Sequence, residues 1–431
     1  MEQITRGGVA GEVIRVGVDL AKRVLQVHGV DGHGRVARRR ALRRDAFLAW
    51  CAQLPPGCVV AMEISSSAHH WARKLAAMGL KPLLMSAQLV KPYRSEGATG
   101  KNDANDAAAI CEAASRPTMR FVPVKSVEQQ SMLCVHRLRE GLKADRTGCI
   151  NRIRGLLAEF GLVFAQGPEA LSSMLADVLE DGANEMNALA RRVIEHAWSQ
   201  WRELDAHLAW CDERIAQHAK DNAAVRQAAQ LIGIGPVTAS AAIATVDDFA
   251  QFRNGAQFGA WCGITPRQDS SGGKTKLGRI TRRGDAYLRS LLVQGAKSAV
   301  MTAHKRSDPI SRWTLALRER SGWQIAAVAL ANKNARILWA VMTKGDKFDA
   351  NHVSVKPCVA AAWPFSTEEI FLAQTTIEDA LTGQTGGGQA RLTPGDSKRR
   401  VTRDRIGAPP SGSHLGPHDH RLCSRVQQGR L

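Results

Sequence analysis

Along the first third of the chain, short apolar runs alternate with polar turns and helical spacings, which predicts an α/β domain. Val13-Ile14-Arg15-Val16-Gly17-Val18-Asp19 is a β-branched run that ends on a carboxylate. Residues 24–30 and 35–40 read as the next two strands, with Asp31-Gly32-His33-Gly34 as the turn between them. Residues 45–54 have helical apolar spacing, stopped by Pro55-Pro56-Gly57. Cys58-Val59-Val60-Ala61-Met62 is a second buried-strand run and again delivers an acid, Glu63. Residues 68–78 then read as a helix, 82–85 as a strand and 104–114 as a helix.

The period changes after Ser126. Leu138, Leu142, Cys149, Ile153, Leu156 and Phe160 recur at three-, four- and seven-residue steps, which predicts one long helix over 126–160. Arg137, Lys143, Arg152 and Arg154 occupy its other faces and are candidate nucleic-acid contacts. A second long helix is expected over about 197–219, with Trp201, Leu204, Leu208, Cys211 and Ile215 on one side. The pair reads either as a helical hairpin packed on itself or as a dimer-forming coiled coil. Residues 229–345 read as a mostly helical second domain closing on a helix over 325–342 and a C-cap at Gly345. Beyond about 350 the periodicity fades into Gly, Pro, Ser and Arg, a composition that predicts disorder. The expected organisation is therefore an α/β domain over 10–122, a helical coiled-coil region over 123–225, a mostly α domain over 226–347 and a disordered tail over 348–431.

Charge narrows the partner. The chain of 431 residues has 59 Lys+Arg against 40 Asp+Glu, a formal net charge of +19. Such a surplus favours a polyanion, because each neutralised phosphate releases counterions. No apolar run approaches the roughly 20 residues that span a bilayer, and the N-terminus lacks a signal-peptide core, so no membrane role is expected. Nine scattered cysteines, none in a C-x-x-C pair, argue against zinc and redox motifs and fit a reducing cytoplasm.

The candidate chemistry lies in two places. Asp19 and Glu63 each end a strand, and Lys101-Asn102-Asp103-Ala104-Asn105-Asp106 adds two acids three residues apart at a helix start. Four clustered carboxylates repel unless a cation binds between them, and hard oxygen ligands suit Mg²⁺ or Mn²⁺. Taken singly, each acid also reads as a turn, cap or solvated first-turn residue. The second place is Gly263-Ile264-Thr265-Pro266-Arg267-Gln268-Asp269-Ser270-Ser271-Gly272-Gly273-Lys274, followed by Gly278-Arg279-Ile280-Thr281-Arg282-Arg283-Gly284-Asp285. Small hydroxyls flanked by Lys274, Arg279, Arg282 and Arg283 can set an alcohol against a phosphodiester, or form a plain polar loop that grips phosphate. Leu231-Ile232-Gly233-Ile234-Gly235-Pro236 reads as a phosphate-binding hairpin or as a simple turn between helices.

Together these segments resemble the DEDD transposases of insertion-sequence family one-hundred-ten, which includes the Piv-type DNA invertases. The resemblance rests on Val16-Gly17-Val18-Asp19, Ala61-Met62-Glu63 with Ala68-His69-His70-Trp71, the stretch 101–110, Asn151-Arg152-Ile153-Arg154-Gly155-Leu156-Leu157, and the serine–glycine segment through Leu288-Arg289. It implies a ribonuclease-H-like, RuvC-like N-terminal domain whose four metal-holding acids fall on Asp19, Glu63, Asp103 and Asp106. It also implies a coiled-coil linker and a C-terminal transposase domain with a nucleophilic serine, which falls on Ser270. Further implications are DNA as donor and target, a structured guide RNA, and a dimer or tetramer acting in a prokaryotic cytoplasm at the nucleoid. Two other functions remain open on the residues: a metal-dependent junction nuclease that uses water, and a non-catalytic nucleic-acid-binding protein.

Overall fold

The computed structural model describes residues 11–94, 103–246, 248–269, 271–272, 274, 276–345 and 348–351. Its N-terminal part is a six-stranded mixed sheet: β1 (Arg15–Leu20), β2 (Val24–Val30), β3 (Val36–Arg43), β4 (Val59–Glu63), β5 (Lys81–Met85) and β6 (Phe121–Val122). The order across the sheet is β3-β2-β1-β4-β5-β6. The first three strands form an antiparallel meander, because turns of three and five residues can only reverse the chain. β4 and β5 then add parallel to β1, and each needs a helical crossover to return to the same end.

Those crossovers cover one face of the sheet. α1 (Phe47–Cys51) and α2 (Ala68–Ala77) bury Phe47, Trp50, Trp71 and Leu75 against Val16, Val18, Val27, Val60 and Met62. Phe47 meets Trp71 edge-on, with ring centroids 5.2 Å apart. The opposite face receives α3 (Ala87–Val90) and α4 (Asp103–Ala113). There Val90, Ala109, Ile110 and Ala113 pack on Ala61 and Met85. The side chains of a strand alternate between faces, so Gly17, Asp19, Ala61 and Glu63 all belong to the α4 side.

Beyond the sheet come α5 (Val127–Ala158), α6 (Pro168–Glu180) and α7 (Ala188–Asp221). A capping box starts α5: Gln129 N–H donates to Ser126 Oγ at 3.1 Å and Ser126 N–H to Gln129 Oε1 at 2.9 Å, an arrangement worth about 1 kcal/mol. α5 does not pack on α7 alone. Ile153 and Leu157 share one core with Leu171 and Leu175 of α6 and with Ile194 and Trp201 of α7. The apolar spacing over 168–180 belongs to a helix that the sequence reading passed over.

The C-terminal region is α8 (Ala223–Ala228), α9 (Pro236–Thr245), α10 (Gly255–Trp261), a two-stranded hairpin of β7 (Pro266–Gln268) and β8 (Leu277–Ile280), α11 (Ala286–Thr302), α12 (Pro309–Ser321) and α13 (Trp323–Lys344). One core joins its helices through Leu231, Ile234, Phe258, Cys262, Leu288, Leu292, Leu330 and Leu338; replacing Phe258 by Ala should cost about 3–5 kcal/mol. Gly233 has a positive φ of 80°, and a side chain there would run into the backbone of Gly295 on α11. That glycine serves a close helix approach, and the turn over 231–236 is a packing element. A buried polar chain ties α5, α7, α9 and α11: His136 hydrogen-bonds Tyr287 Oη at 3.0 Å and Ser240 Oγ at 2.9 Å, and His218 reaches the same hydroxyl at 2.8 Å.

The expected disordered tail lies outside the described residues except for 348–351. No helix among the described residues is long and apolar enough to cross a membrane. The described cysteines are free thiols, and all except Cys134 are buried.

Candidate active site

β1 and β4 are parallel neighbours, with Val18 beside Met62, so the next residues, Asp19 and Glu63, end adjacent strands at the same edge. Both belong to the face covered by α4. What lets α4 come down on this face is Gly17. A Cβ built there would overlap the carbonyl of Ala107 and the amide of Cys111, both backbone groups of α4. Asp106 immediately precedes Ala107, so the same approach that needs Gly17 brings Asp106 over the strand ends. Asp103 is the first residue of α4; its side chain lies outside the described part.

A single cation joins two of these acids. Arg94, which follows β5 and α3, places Nη2 2.8 Å from Glu63 Oε1 and Nε 3.0 Å from Asp106 Oδ1. The first contact is a hydrogen bond. The second is charge attraction only, since the Nε–H is not aligned on the carboxylate. The side chains of Glu63 and Asp106 are 17% and 15% exposed, so the pair is held in a partly desolvated cleft, where Coulomb interactions outweigh those between surface charges. Among the described residues no three His, Cys, Asp or Glu side chains are grouped closely enough to share a metal ion. Two hard-oxygen carboxylates turned toward one cation nevertheless fit a divalent ion, which would replace the guanidinium of Arg94. Arg94 carried no sequence signal. Only the fold places it opposite acids 31 and 12 residues away.

His69 of α2 is structural. His69 Nδ1 accepts the Lys125 N–H at 3.2 Å. Burial, reinforced by Lys125, Arg73 and Arg137, pushes its pKa down to about 4, so it is neutral at pH 7.

Ser270 lies outside the described residues, but its surroundings are defined. Between β7 and β8, Ser271 pairs with Lys274 and Asp269 N–H donates to Lys276 O at 2.9 Å. Two glycines cinch the base of this hairpin. A Cβ on Gly263 (φ 72°) would overlap the carbonyl of Arg283, and one on Gly284 (φ 91°) the carbonyl of Trp261. Thr281 N–H donates to Thr265 O and Arg282 N–H to Gly263 O, closing the base. Arg282 is the one described non-glycine residue with a positive φ, 55°, which marks local strain. Lys274, Arg279, Arg282 and Arg283 are all exposed. Arg289 donates to Cys262 O at 3.1 Å and so braces the hairpin from α11.

The helical candidates differ among themselves. Arg137 and Arg152 are exposed, and Arg152 donates to Gln200. Lys143 pairs with Glu140 at 3.2 Å. Arg154 donates to the carbonyls of Ala165 and Gly167, so it closes the turn after α5.

An α/β sheet with acids at adjacent strand ends, followed by a helical region with a basic hairpin, is compatible with a DNA-cleaving and rejoining enzyme of the transposase class. Family comparisons agree. The model described as the Transposase IS116/IS110/IS902 family matches residues 226–310, and a DEDD-type transposase model of the IS110 group matches residues 16–161. A probable family 20 transposase of Pseudomonas aeruginosa is 45% identical over 331 residues, 77% of this chain and 97% of its own length. The transposase for insertion sequence element IS1111A of Coxiella burnetii is 40% identical, covering 77% and 90%. The transposase for insertion sequence element IS1328 of Yersinia enterocolitica is 34% identical, covering 78% and 98%. The chain belongs to the IS110 family of insertion-sequence transposases. A DEDD-type family implies a divalent-metal requirement.

Proposed function

We propose that this transposase breaks and rejoins DNA through two chemically distinct centres, an acidic metal site on the sheet and a serine nucleophile on the hairpin. The observation that carries the reading is the convergence of Glu63 and Asp106 on one cation at the sheet edge that Asp19 also ends. The strand order β3-β2-β1-β4-β5, with an antiparallel meander and two parallel additions, supports a ribonuclease-H-like, RuvC-like domain.

Asp19, Glu63, Asp103 and Asp106 are the residues that would hold Mg²⁺ or Mn²⁺, which when bound supplies Lewis-acid stabilisation to the phosphodiester oxygens. Arg94 neutralises the acids meanwhile and prevents them from repelling one another. In the cleavage step Ser270 Oγ attacks the scissile phosphorus, the bond to the departing strand breaks, and that strand leaves as a hydroxyl carrying a proton. The phosphoserine link conserves the phosphodiester energy, so the hydroxyl of another strand can resolve it and regenerate the serine. Lys274 beside the serine segment, Arg279 on β8, and Arg282 and Arg283 at the hairpin base would offset the charge that builds on phosphorus. A serine hydroxyl is a poor nucleophile at neutral pH, so the acidic site must act with the hairpin, within one chain or across a dimer or tetramer.

The positive charge also supports a structured guide RNA as a partner, with Arg137, Lys143 and Arg152 of α5 available to phosphates. The family models match residues 16–161 and 226–310, which supports a tail that is dispensable for chemistry.

The test is the product of the reaction on a supercoiled plasmid carrying the element ends. Wild type should give joined recombinants, and Ser270→Ala neither recombinants nor nicks. Nicked, unjoined DNA from Ser270→Ala would instead identify a nuclease that uses water.

A further inference from the structure

Between residues 35 and 44 the chain has six arginines and no acid: Arg35, Arg38, Arg39, Arg40, Arg43 and Arg44. The fold sets most of them on β3, the outer edge strand of the sheet, where Arg38, Arg39, Arg40 and Arg43 are exposed. Arg43 is paired with Asp45 at 3.0 Å, and Arg44 is spent on the Ala21 carbonyl and the Trp71 ring. Arg35, Arg38 and Arg39 make no ion pair among the described residues.

We propose that this edge is a docking track for the phosphate backbone of duplex DNA, delivering it to the carboxylate end of the sheet. Direction carries the argument. β3 is antiparallel to β2, and β2 to β1, so β3 runs the same way as β1, and its Arg43 end lies at the sheet edge where Asp19 and Glu63 stand. The registers place Asp19 beside Gln26 and Gln26 beside Ala41, so one transverse row joins the acid to the outer strand. Arg39 and Arg43 bracket that row on the α4 face, while Arg38 and Arg40 point to the other side. On β3, Arg38 and Arg40 are about 6.8 Å apart and Arg39 and Arg43 about twice that, close to one and two steps between successive phosphates along a nucleic-acid strand. An edge strand also leaves backbone N–H groups unpaired on its outer side, and these donate to phosphate oxygens as readily as side chains do. DNA is the occupant because the track ends at the site that cuts DNA.

The proposal rests on that site reading only for its destination, and the test separates the two. Binding is measured in EDTA, where no cleavage occurs; the plasmid assay on wild type examines the chemistry by itself. The full chain carrying Arg35→Gln, Arg38→Gln and Arg39→Gln is titrated with a DNA duplex and with an RNA duplex of equal length over a salt series. DNA affinity should fall about tenfold or more, and the slope of log affinity against log salt should become shallower by about 2–3, near 0.9 per lost phosphate contact. The corresponding Arg→Lys triple should keep the wild-type slope. Arg35→Gln alone, in the turn before the strand, should flatten it by about 1 if the triple variant is poorly folded. An unchanged DNA slope in a folded variant would mean that the arginines only guard an exposed edge against pairing, and the track is wrong. An equal or larger loss on RNA would overturn the DNA assignment.

Discussion

The acidic centre and the serine hairpin are built by opposite means. Asp19 and Glu63 stand at the ends of central strands whose neighbours on both faces are fully buried, so the rigid sheet fixes their separation. The hairpin is an exposed two-stranded ribbon outside any core, and only its base is fixed, by Gly263, Gly284 and the brace of Arg289. A two-stranded ribbon alone is marginal in water, so its tip can be displaced without disturbing the helices behind it. The contrast suits the proposed reaction, in which charge stabilisation needs fixed oxygens while a serine nucleophile must reach, bond and release a strand. One shared device underlies both. In each region a glycine permits backbone-to-backbone approach, Gly17 under α4 and Gly263 under Arg283.

The contrast breaks first at Gly17. Gly17→Val should lift α4 from the sheet, carry Asp106 away from Glu63, and reduce strand cleavage about a hundredfold or more, the scale of losing a positioned electrostatic group. Stability should fall by about 1–3 kcal/mol from overpacking. Glu63→Gln should match that loss of activity with little change in thermal midpoint, and the two variants together distinguish position from charge. Next in size is Gly263→Ala, which should spring the hairpin base. Cleavage and joining should both fall, with new proteolytic nicking confined to 265–281 and the sheet still protected in hydrogen exchange. If the sheet loses protection too, the two regions are not independent.

The last effect is on stability against pH. His136 is buried against Ser240 and Tyr287, and burial, then Arg139 and His218, lower its pKa from 6.5 to about 4. The folded state therefore resists the proton that the unfolded state accepts. Stability from this group is complete above pH 6.5 and is lost as pH falls toward 4, by up to about 3 kcal/mol. His69 adds a loss of the same sign. His136→Gln should flatten the fall of thermal midpoint between pH 7 and 4.5. An equally steep fall in the variant would show that the network does not hold a neutral imidazole.

Much of the sheet was legible because the β-branched and apolar runs that lead to Asp19 and Glu63 carry both the strand signal and the chemical one. The long helix over 127–158 was legible for the same reason, a sustained apolar stripe. Three features were not. α6 was hidden because Gly167-Pro168 reads as a break before it reads as a helix start. Arg94 was hidden because an arginine after a strand has no local pattern, and its role as a counter-charge exists only once β4 and α4 converge. The β7–β8 ribbon read as a pliable loop because Ser270-Ser271-Gly272-Gly273 has no strand propensity; its pairing is imposed from the glycine base.

Covalent capture in the two centres' separate variants tests the central claim most directly. Protein is trapped on a nicked DNA substrate with Mg²⁺, run on a denaturing gel and mapped by peptide. The account predicts an adduct in wild type only, linked through Ser270, absent in Ser270→Ala, in Glu63→Gln and in EDTA. A wild-type yield of adduct from Glu63→Gln, or a linkage mapped to Ser271, would contradict it.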